Sequence, residues 1–388
     1  MRTVLTATWL SNGPSLIEQP VIVIEDGRIS SIGSRSAQEA PSGTGQVLHF
    51  PGAALSPAFF DIHIHGAAGH DVMEATSEAL TAIGRLLAAH GTGSYLATTV
   101  TAKEDATLRS LSGLAKLLAQ PPDGPVSWPI GIHLEGPFLS HGKRGVHPPA
   151  LLREPDIALF DRLYDAAEGH VRLMTLAPEL HGAAELAAYA TARGVRVSLG
   201  HSNAKAVETR AVIAAGAVSA THTFNAMRPL DHREPGILGV VLTTDSLFAE
   251  IICDGIHTTP EMVQIWWRCK GAERAILITD GMSATGMPDG DYQLGGFTVK
   301  VANGRASVGD VLAGSVLTLD RALGNFLKFT RGSLTDGLGL LTTNPAAMTG
   351  LRDRAGLLAV GQPANLVVVD ESGKLIASFV NGQRVAAG

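Results

Sequence analysis

From about residue 54 onward, short runs rich in β-branched and apolar residues alternate with segments whose apolar positions recur every three or four residues. The runs are AFFDIHIHG, SYLATTVT, PIGIHLEGPFL, VRLMTLAPE, VRVSLGHS, VSATHTFNAM, LFAEIICDGIH and AILITDG. Nearly all are followed by a segment of helical period, such as SEALTAIGRLLAAHG or PEMVQIWWRCKG. This alternation predicts a parallel sheet, and eight repeats of it predict an α/β fold of the (β/α)8 barrel type. A doubly wound open sheet is the alternative, and it would gather ligands at a single switch point.

The two ends of the chain have a different texture. VLTATWL, PVIVIEDGRISSIG and QVLHFPGAALSP are strand-like runs joined by Gly, Asn, Ser and Pro, and GQPANLVVVDESGKLIASFVNGQRV holds two more with an Asn-Gly hairpin turn. They predict one small accessory β-sandwich built from residues 1–53 and 351–388, with the barrel spanning 54–350. After the eighth run, GDYQLGGFTVKVANGRASV reads as a small β insertion. The loops HGKRGVHPP and RPLDHREPGILG, after the third and sixth runs, are candidates for substrate contact.

Composition narrows the function classes. The 388 residues carry 30 Lys and Arg against 36 Asp and Glu, a net charge of −6, with no basic stripe, which argues against nucleic acid as partner. Two cysteines, Cys253 and Cys269, are too few for a disulfide framework and predict free thiols in a reducing compartment. The opening MRTVLTATWLSNG lacks the long apolar core of a secretion signal, and no stretch approaches the ~20 apolar residues of a membrane span. The expectation is a cytoplasmic protein with a small-molecule substrate.

The candidate chemistry sits at the C-terminal ends of the predicted strands. His63 and His65 are two apart and share a strand face, Glu135 ends the third run beside Gly-Pro, His201 ends the fifth, His222 lies in the sixth, and Asp280 ends the eighth. In a parallel barrel those ends converge on the face where active sites lie. Imidazole and carboxylate suit a borderline divalent ion such as zinc, with iron, cobalt or manganese as alternatives. A single histidine of this kind is more often a core or capping residue; the set in register points to a hydrolytic metal site. His133, two before Glu135, is assigned to the core. Lys205 falls on a helix, His49, His70, His90, His170 and His181 read as structural, and Trp266 and Trp267 read as helix packing.

In order along the chain, HLEGPF, KRGVHPP, LGHSNA, THTFNAM, REPG, DGIH, ITDGM, TTNPAAMTGL and GLLAVGQPANLVVVD resemble the amidohydrolase superfamily over essentially its full length, and within it the deacetylases of amino-sugar phosphates. The resemblance implies hydrolysis of N-acetylglucosamine 6-phosphate to glucosamine 6-phosphate and acetate, in amino-sugar breakdown or cell-wall recycling. The galactosamine epimer, a D-aminoacylase and a non-catalytic assembly protein are the rival readings. It further implies Glu135, His201 and His222 as ligands of the principal metal, with Asp280 as the catalytic carboxylate. His147 and His257 would meet the sugar and the amide carbonyl, and Asn225 with the backbone at Ala226 would hold the phosphorylated sugar. Arg233 would reach the phosphate across a homodimer interface. Some members carry Gln and Asn where this chain has His63 and His65 and bind one metal; both imidazoles here allow one or two ions per subunit. In the closing motif, ANLVV stands where ADLVV is more usual, and Asn365 carries no catalytic expectation. The mechanism expected is that Asp280 takes a proton from water activated by the metal and returns it to the departing amine.

Overall fold

All eight apolar runs become strands of one parallel sheet in the computed structural model, which describes residues 2–35 and 45–386. The strands are Phe59–Ile64, Thr92–Thr99, Trp128–Glu135, Val171–Leu176, Arg196–Leu199, Ala217–Ala220, Phe248–Ile252 and Ala275–Ile278, side by side in chain order. They are buried along nearly their whole length because one face lines the barrel interior and the other packs beneath helices. The first and eighth strands then meet. Asp280 N donates to His63 O at 2.9 Å and His65 N donates to Gly281 O at 2.7 Å, closing the sheet into a barrel and excluding the open doubly wound alternative.

Each strand is followed by a helix, the eighth only after the β insertion. Leu319–Thr330 shows why these segments are helical: Leu319, Ala322, Leu323 and Phe326 are buried at i, i+3, i+4 and i+7, forming one stripe against the barrel. Two further helices, Leu334–Leu341 and Thr343–Thr349, complete the layer. The insertion is a four-stranded antiparallel sheet, Gly290–Leu294, Phe297–Ala302, Arg305–Val308 and Val311–Leu312, with its own apolar core around Val299, Val301 and Met282.

The accessory β-structure expected from the chain ends takes the form of one curled, eight-stranded mixed sheet. Gln46–Pro57 is its hinge strand, parallel to Arg2–Asn12 on one side and antiparallel to Leu366–Val369 on the other. The sheet bends back on itself where Ile29 N donates to Gln362 O at 2.9 Å and Gly361 N to Ile29 O at 2.8 Å. Leu5, Ile22, Leu55, Leu366 and Phe379 fill the interior of the curl. The Asn381–Gly382 turn adopts left-handed backbone at both residues, φ 50° and 72°, as a tight hairpin requires.

One buried acid pins the barrel seam. Asp61 accepts from Thr279 Oγ1 at 2.6 Å across the joint between the first and eighth strands, and Thr279 Oγ1 also accepts from Gly281 N at 3.0 Å. Burial pushes the Asp61 carboxyl up to about 7, against these hydrogen bonds. Replacing Thr279 by Val removes a donor from a buried carboxyl group and should cost about 1–3 kcal/mol. A urea midpoint equal to that of the unmodified chain would show that the seam does not depend on this bond.

Candidate active site

The six residues picked out at strand ends do converge. His63 lies on the first strand and His65 just past it, Glu135 is the last residue of the third, and His201, His222 and Asp280 each stand two residues beyond the fifth, sixth and eighth. All six are buried. His201, His222 and Asp280 have φ of 47°, 28° and 50°, a left-handed backbone that side chains other than glycine seldom adopt. Such residues cost of order 1–3 kcal/mol each and persist where the surroundings hold them. Here they are held: Ser140 N donates to His201 O at 3.0 Å, His222 N to Glu250 Oε2 at 3.3 Å, and Ser315 N to Asp280 O at 2.7 Å.

Glu135 is the centre of the cluster. Its Oε1 lies 3.1 Å from His222 Nε2, 3.2 Å from His201 Nε2 and 3.3 Å from His63 Nε2, and its Oε2 lies 3.2 Å from His65 Nε2. Asp280 Oδ1 lies 3.2 Å from His65 Nε2 and 3.5 Å from His63 Nε2. The His201 and His222 Nε2 atoms are 3.1 Å apart, a spacing that two neutral acceptors sustain only with a shared cation or proton between them.

The outer ring nitrogens assign the tautomers. His65 Nδ1 is 3.1 Å from Thr98 O, His201 Nδ1 is 2.9 Å from Lys143 O, and His63 Nδ1 is 3.2 Å from Glu250 Oε2. The two carbonyls only accept, and Glu250 Oε2 already accepts from His222 N, so Nδ1 carries the proton and Nε2 is the nitrogen that faces inward, the arrangement of a metal ligand. His147 is the reverse case. Its Nδ1 accepts from Thr101 N at 3.3 Å, so its Nε2 bears hydrogen and faces Glu135 Oε2 at 3.6 Å as a donor. Proximity alone groups His147 with Glu135 and His201, and His63 with His65 and Asp280. The tautomer favours His222 in place of His147 in the first set. His133, as expected, keeps to the core, with Nε2 2.8 Å from Thr175 Oγ1.

Electrostatics ask for a cation at this point. Burial pushes the His65 imidazole down, but Asp280 and Glu135 outweigh it and raise it to about 9; His63 is likewise raised well above its ordinary range. Burial pushes Asp280 up, and the imidazoles of His63 and His65 pull it down to about 2, while Glu135 is held well below its usual range. Two buried carboxylates thus hold protons on imidazoles whose geometry is that of ligands, and a divalent ion fits the place of those protons.

The cluster floors a cavity of about 500 Å³. His147, Asn225, Ala226 and His257, the residues for which the resemblance implies substrate contact, line it. Asn225 Nδ2 is buried without a hydrogen-bond partner. His257 Nδ1 is 2.6 Å from Asp254 Oδ2, so Asp254 fixes that ring. The loop carrying Lys143 and Arg144 closes over His201: at Gly145, φ 57°, a Cβ would come 3.2 Å from His201 Cε1. Arg233 is exposed on the loop after the sixth strand and lies outside this cavity. A larger groove, about 920 Å³, runs between the accessory sheet and the opposite end of the barrel and holds none of these residues. Sequence reading missed Glu250, Asp254, Thr101 and Asp61. The acids among them had a visible signal, a carboxylate inside or directly after an apolar strand.

With a folded-state value of about 9 against 6.5, His65 stabilises the metal-free chain fully below pH 6.5, and that contribution is lost as pH rises through 9. A divalent ion must displace the same proton. Apparent metal affinity should therefore climb between pH 6.5 and 9, by about tenfold per pH unit for each proton displaced, and then level off. Calorimetry at pH 7.5 in two buffers of different ionisation enthalpy should record proton release, and a buffer-independent heat would contradict it.

The amidohydrolase family profile matches residues 54–385. The chain is 35% identical over 370 residues to an N-acetylglucosamine-6-phosphate deacetylase from Bacillus subtilis (strain 168), covering 95% of this chain and 93% of that protein. It is 38% identical over 331 residues to an N-acetylgalactosamine-6-phosphate deacetylase from Escherichia coli O157:H7, covering 85% and 87%. Its fold superposes with a TM-score of 0.91 and 36% identity, covering 99% of both chains, on a mutant of N-acetyl-D-glucosamine-6-phosphate deacetylase from Mycobacterium smegmatis in complex with N-acetyl-D-glucosamine-6-phosphate. With His, Glu and Asp side chains that could hold a metal ion collected at the mouth of a parallel barrel, the chain belongs to the amidohydrolase family.

Proposed function

We propose that this chain is a metal-dependent deacetylase that hydrolyses N-acetyl-D-glucosamine 6-phosphate to D-glucosamine 6-phosphate and acetate. The observation that carries the reading is the convergence of Glu135, His201, His222, His63, His65 and Asp280 beneath a cavity into which His147 presents an N–H. The relatives supply the substrate class.

Glu135, His201 and His222 would hold the principal ion, and His63 and His65 with Asp280 a second. Zinc is the first choice, with iron, cobalt or manganese fitting the same donors. When bound, such an ion supplies Lewis acidity, making water a nucleophile at neutral pH and polarising a carbonyl. The chain's own groups do the rest. Both oxygens of Glu135 are engaged by imidazoles, whereas Asp280 uses only Oδ1, so Asp280 is the carboxylate with an oxygen left to take a proton from the attacking water. It then delivers that proton to the departing nitrogen, without which the amine leaves poorly. The His147 Nε2–H donates to the carbonyl oxygen as negative charge develops there. His257, fixed by Asp254, contacts the sugar, and the Asn225 amide with the backbone at Ala226 holds the phosphorylated end. Arg233, exposed beside Leu230, would serve the neighbouring cavity of a homodimer, where its planar guanidinium suits a phosphate. A cytoplasmic setting fits the two free thiols, and no helix of the described residues is long and apolar enough to cross a membrane.

The galacto epimer is the second reading, favoured by the 38% identity to the E. coli O157:H7 protein. Acetate release should be strongest from N-acetylglucosamine 6-phosphate when it is assayed beside the unphosphorylated sugar, N-acetylgalactosamine 6-phosphate and an N-acetyl-D-amino acid. Comparable rates without the phosphate, or a preference for either of the last two, would sink the substrate assignment. Asp280→Asn should lower kcat by about 10²–10⁴-fold with the fold intact; near-normal turnover would remove Asp280 from the proton-transfer role.

A further inference from the structure

Glu250 has no part in the reaction above, yet it sits directly behind the cluster. It lies on the seventh strand, Phe248–Ile252, among the buried Ala249, Ile251 and Ile252, and is itself fully buried. Its Oε2 is 3.2 Å from His63 Nδ1 and 3.3 Å from the backbone N of His222, and its Oε1 has no hydrogen-bond partner. Among the described residues, His63 is its one ionisable partner. On the other side of the same ring, His63 Nε2 is buried and without a hydrogen bond, and faces Glu135 and Asp280.

The three inward-facing imidazoles with assigned tautomers are not held alike. His65 and His201 lean on main-chain carbonyls, Thr98 O and Lys143 O, which no side-chain substitution removes. His63 depends on a side chain. We propose that Glu250 is the positioning residue for His63: by accepting from Nδ1 it fixes the tautomer and ring orientation that present the Nε2 lone pair to an ion. Occupancy of the place shared by His63, His65 and Asp280 is therefore set from the seventh strand by a group that touches no ion. The same oxygen also takes the His222 N–H, so one carboxylate ties the two ligand sets together. The inference rests on the reading of the cluster as a metal centre and goes beyond it by making the ion count depend on Glu250.

Metal content and competitive metal affinity, measured on the full chain after dialysis against graded chelator, test this with Glu250→Met and Glu250→Leu, neither of which keeps an oxygen acceptor for Nδ1–H. Both variants should hold one of two ions about 10–100-fold more weakly while retaining the other, the range seen when an outer partner of a metal-bound histidine is lost. Nitrogen-15 histidine spectra of the zinc-loaded chain should show His63 in a single Nδ1–H form, and the variants should lose that single form. Should the Leu variant fail to fold, the unbranched Met variant carries the test. Two ions held at unchanged affinity by Glu250→Met, with His63 still in one tautomer, overturns the inference while leaving the metal centre standing. Equal weakening of both ions together with a lower melting temperature overturns it in favour of a general structural role. An unmodified chain that holds no ion in these titrations removes the metal-centre reading itself.

Discussion

Two carboxylates, Glu135 and Asp280, are buried within hydrogen-bonding distance of four imidazole nitrogens, and no Lys or Arg reaches them among the described residues. Buried anions need compensating positive charge, and here protons on His63 and His65 or a divalent ion must supply it. That requirement organises the barrel mouth. It draws side chains from the ends of strands one, three, five, six and eight into one cluster, three of the residues concerned sitting in strained left-handed backbone. The rings are in turn oriented from outside by Thr98, Lys143, Glu250 and Thr101.

The seam between the first and eighth strands is the second half of the same arrangement. Asp280 belongs both to the closure, through its backbone bonds to His63 and Ser315, and to the cluster, through its side chain. Barrel closure and site assembly are therefore one event, and Asp61 with Thr279 stabilises both. The β insertion that follows serves the cavity as well, since Leu294, Val311 and Leu312 form part of its wall.

Much of this was legible in the sequence because it rests on period and position. Eight apolar runs with helical segments between them specify the barrel, and ligand-type residues at the run ends place the site. The Asn-Gly turn near the C-terminus was readable for the same reason, its chemistry being local. What could not be read depends on tertiary partners. No spacing shows that His147 accepts at Nδ1 while His201 donates, because the deciding atoms, Thr101 N and Lys143 O, belong to main chain brought in from elsewhere. Glu250 escaped because an acid inside LFAEIIC reads as an interruption of the strand until His63 is seen beside it. The curl of the accessory sheet was hidden too, since it depends on the meeting of Ile29 with Gly361 and Gln362 from the opposite end of the chain.

The strand Gln46–Pro57 passes straight into the first barrel strand, which begins at Phe59. It can complete its pairing only when Leu366–Val369 arrives, just as the first barrel strand waits for residues 279–281. Both bodies of the molecule thus stay open along one edge until late segments of the chain join them. During synthesis the early strands carry unpaired, apolar edges for most of the time the ribosome spends on the chain, the interval in which edge-to-edge association competes with folding. The topology that gathers the site from five strands makes its assembly one of the last things the polypeptide can do.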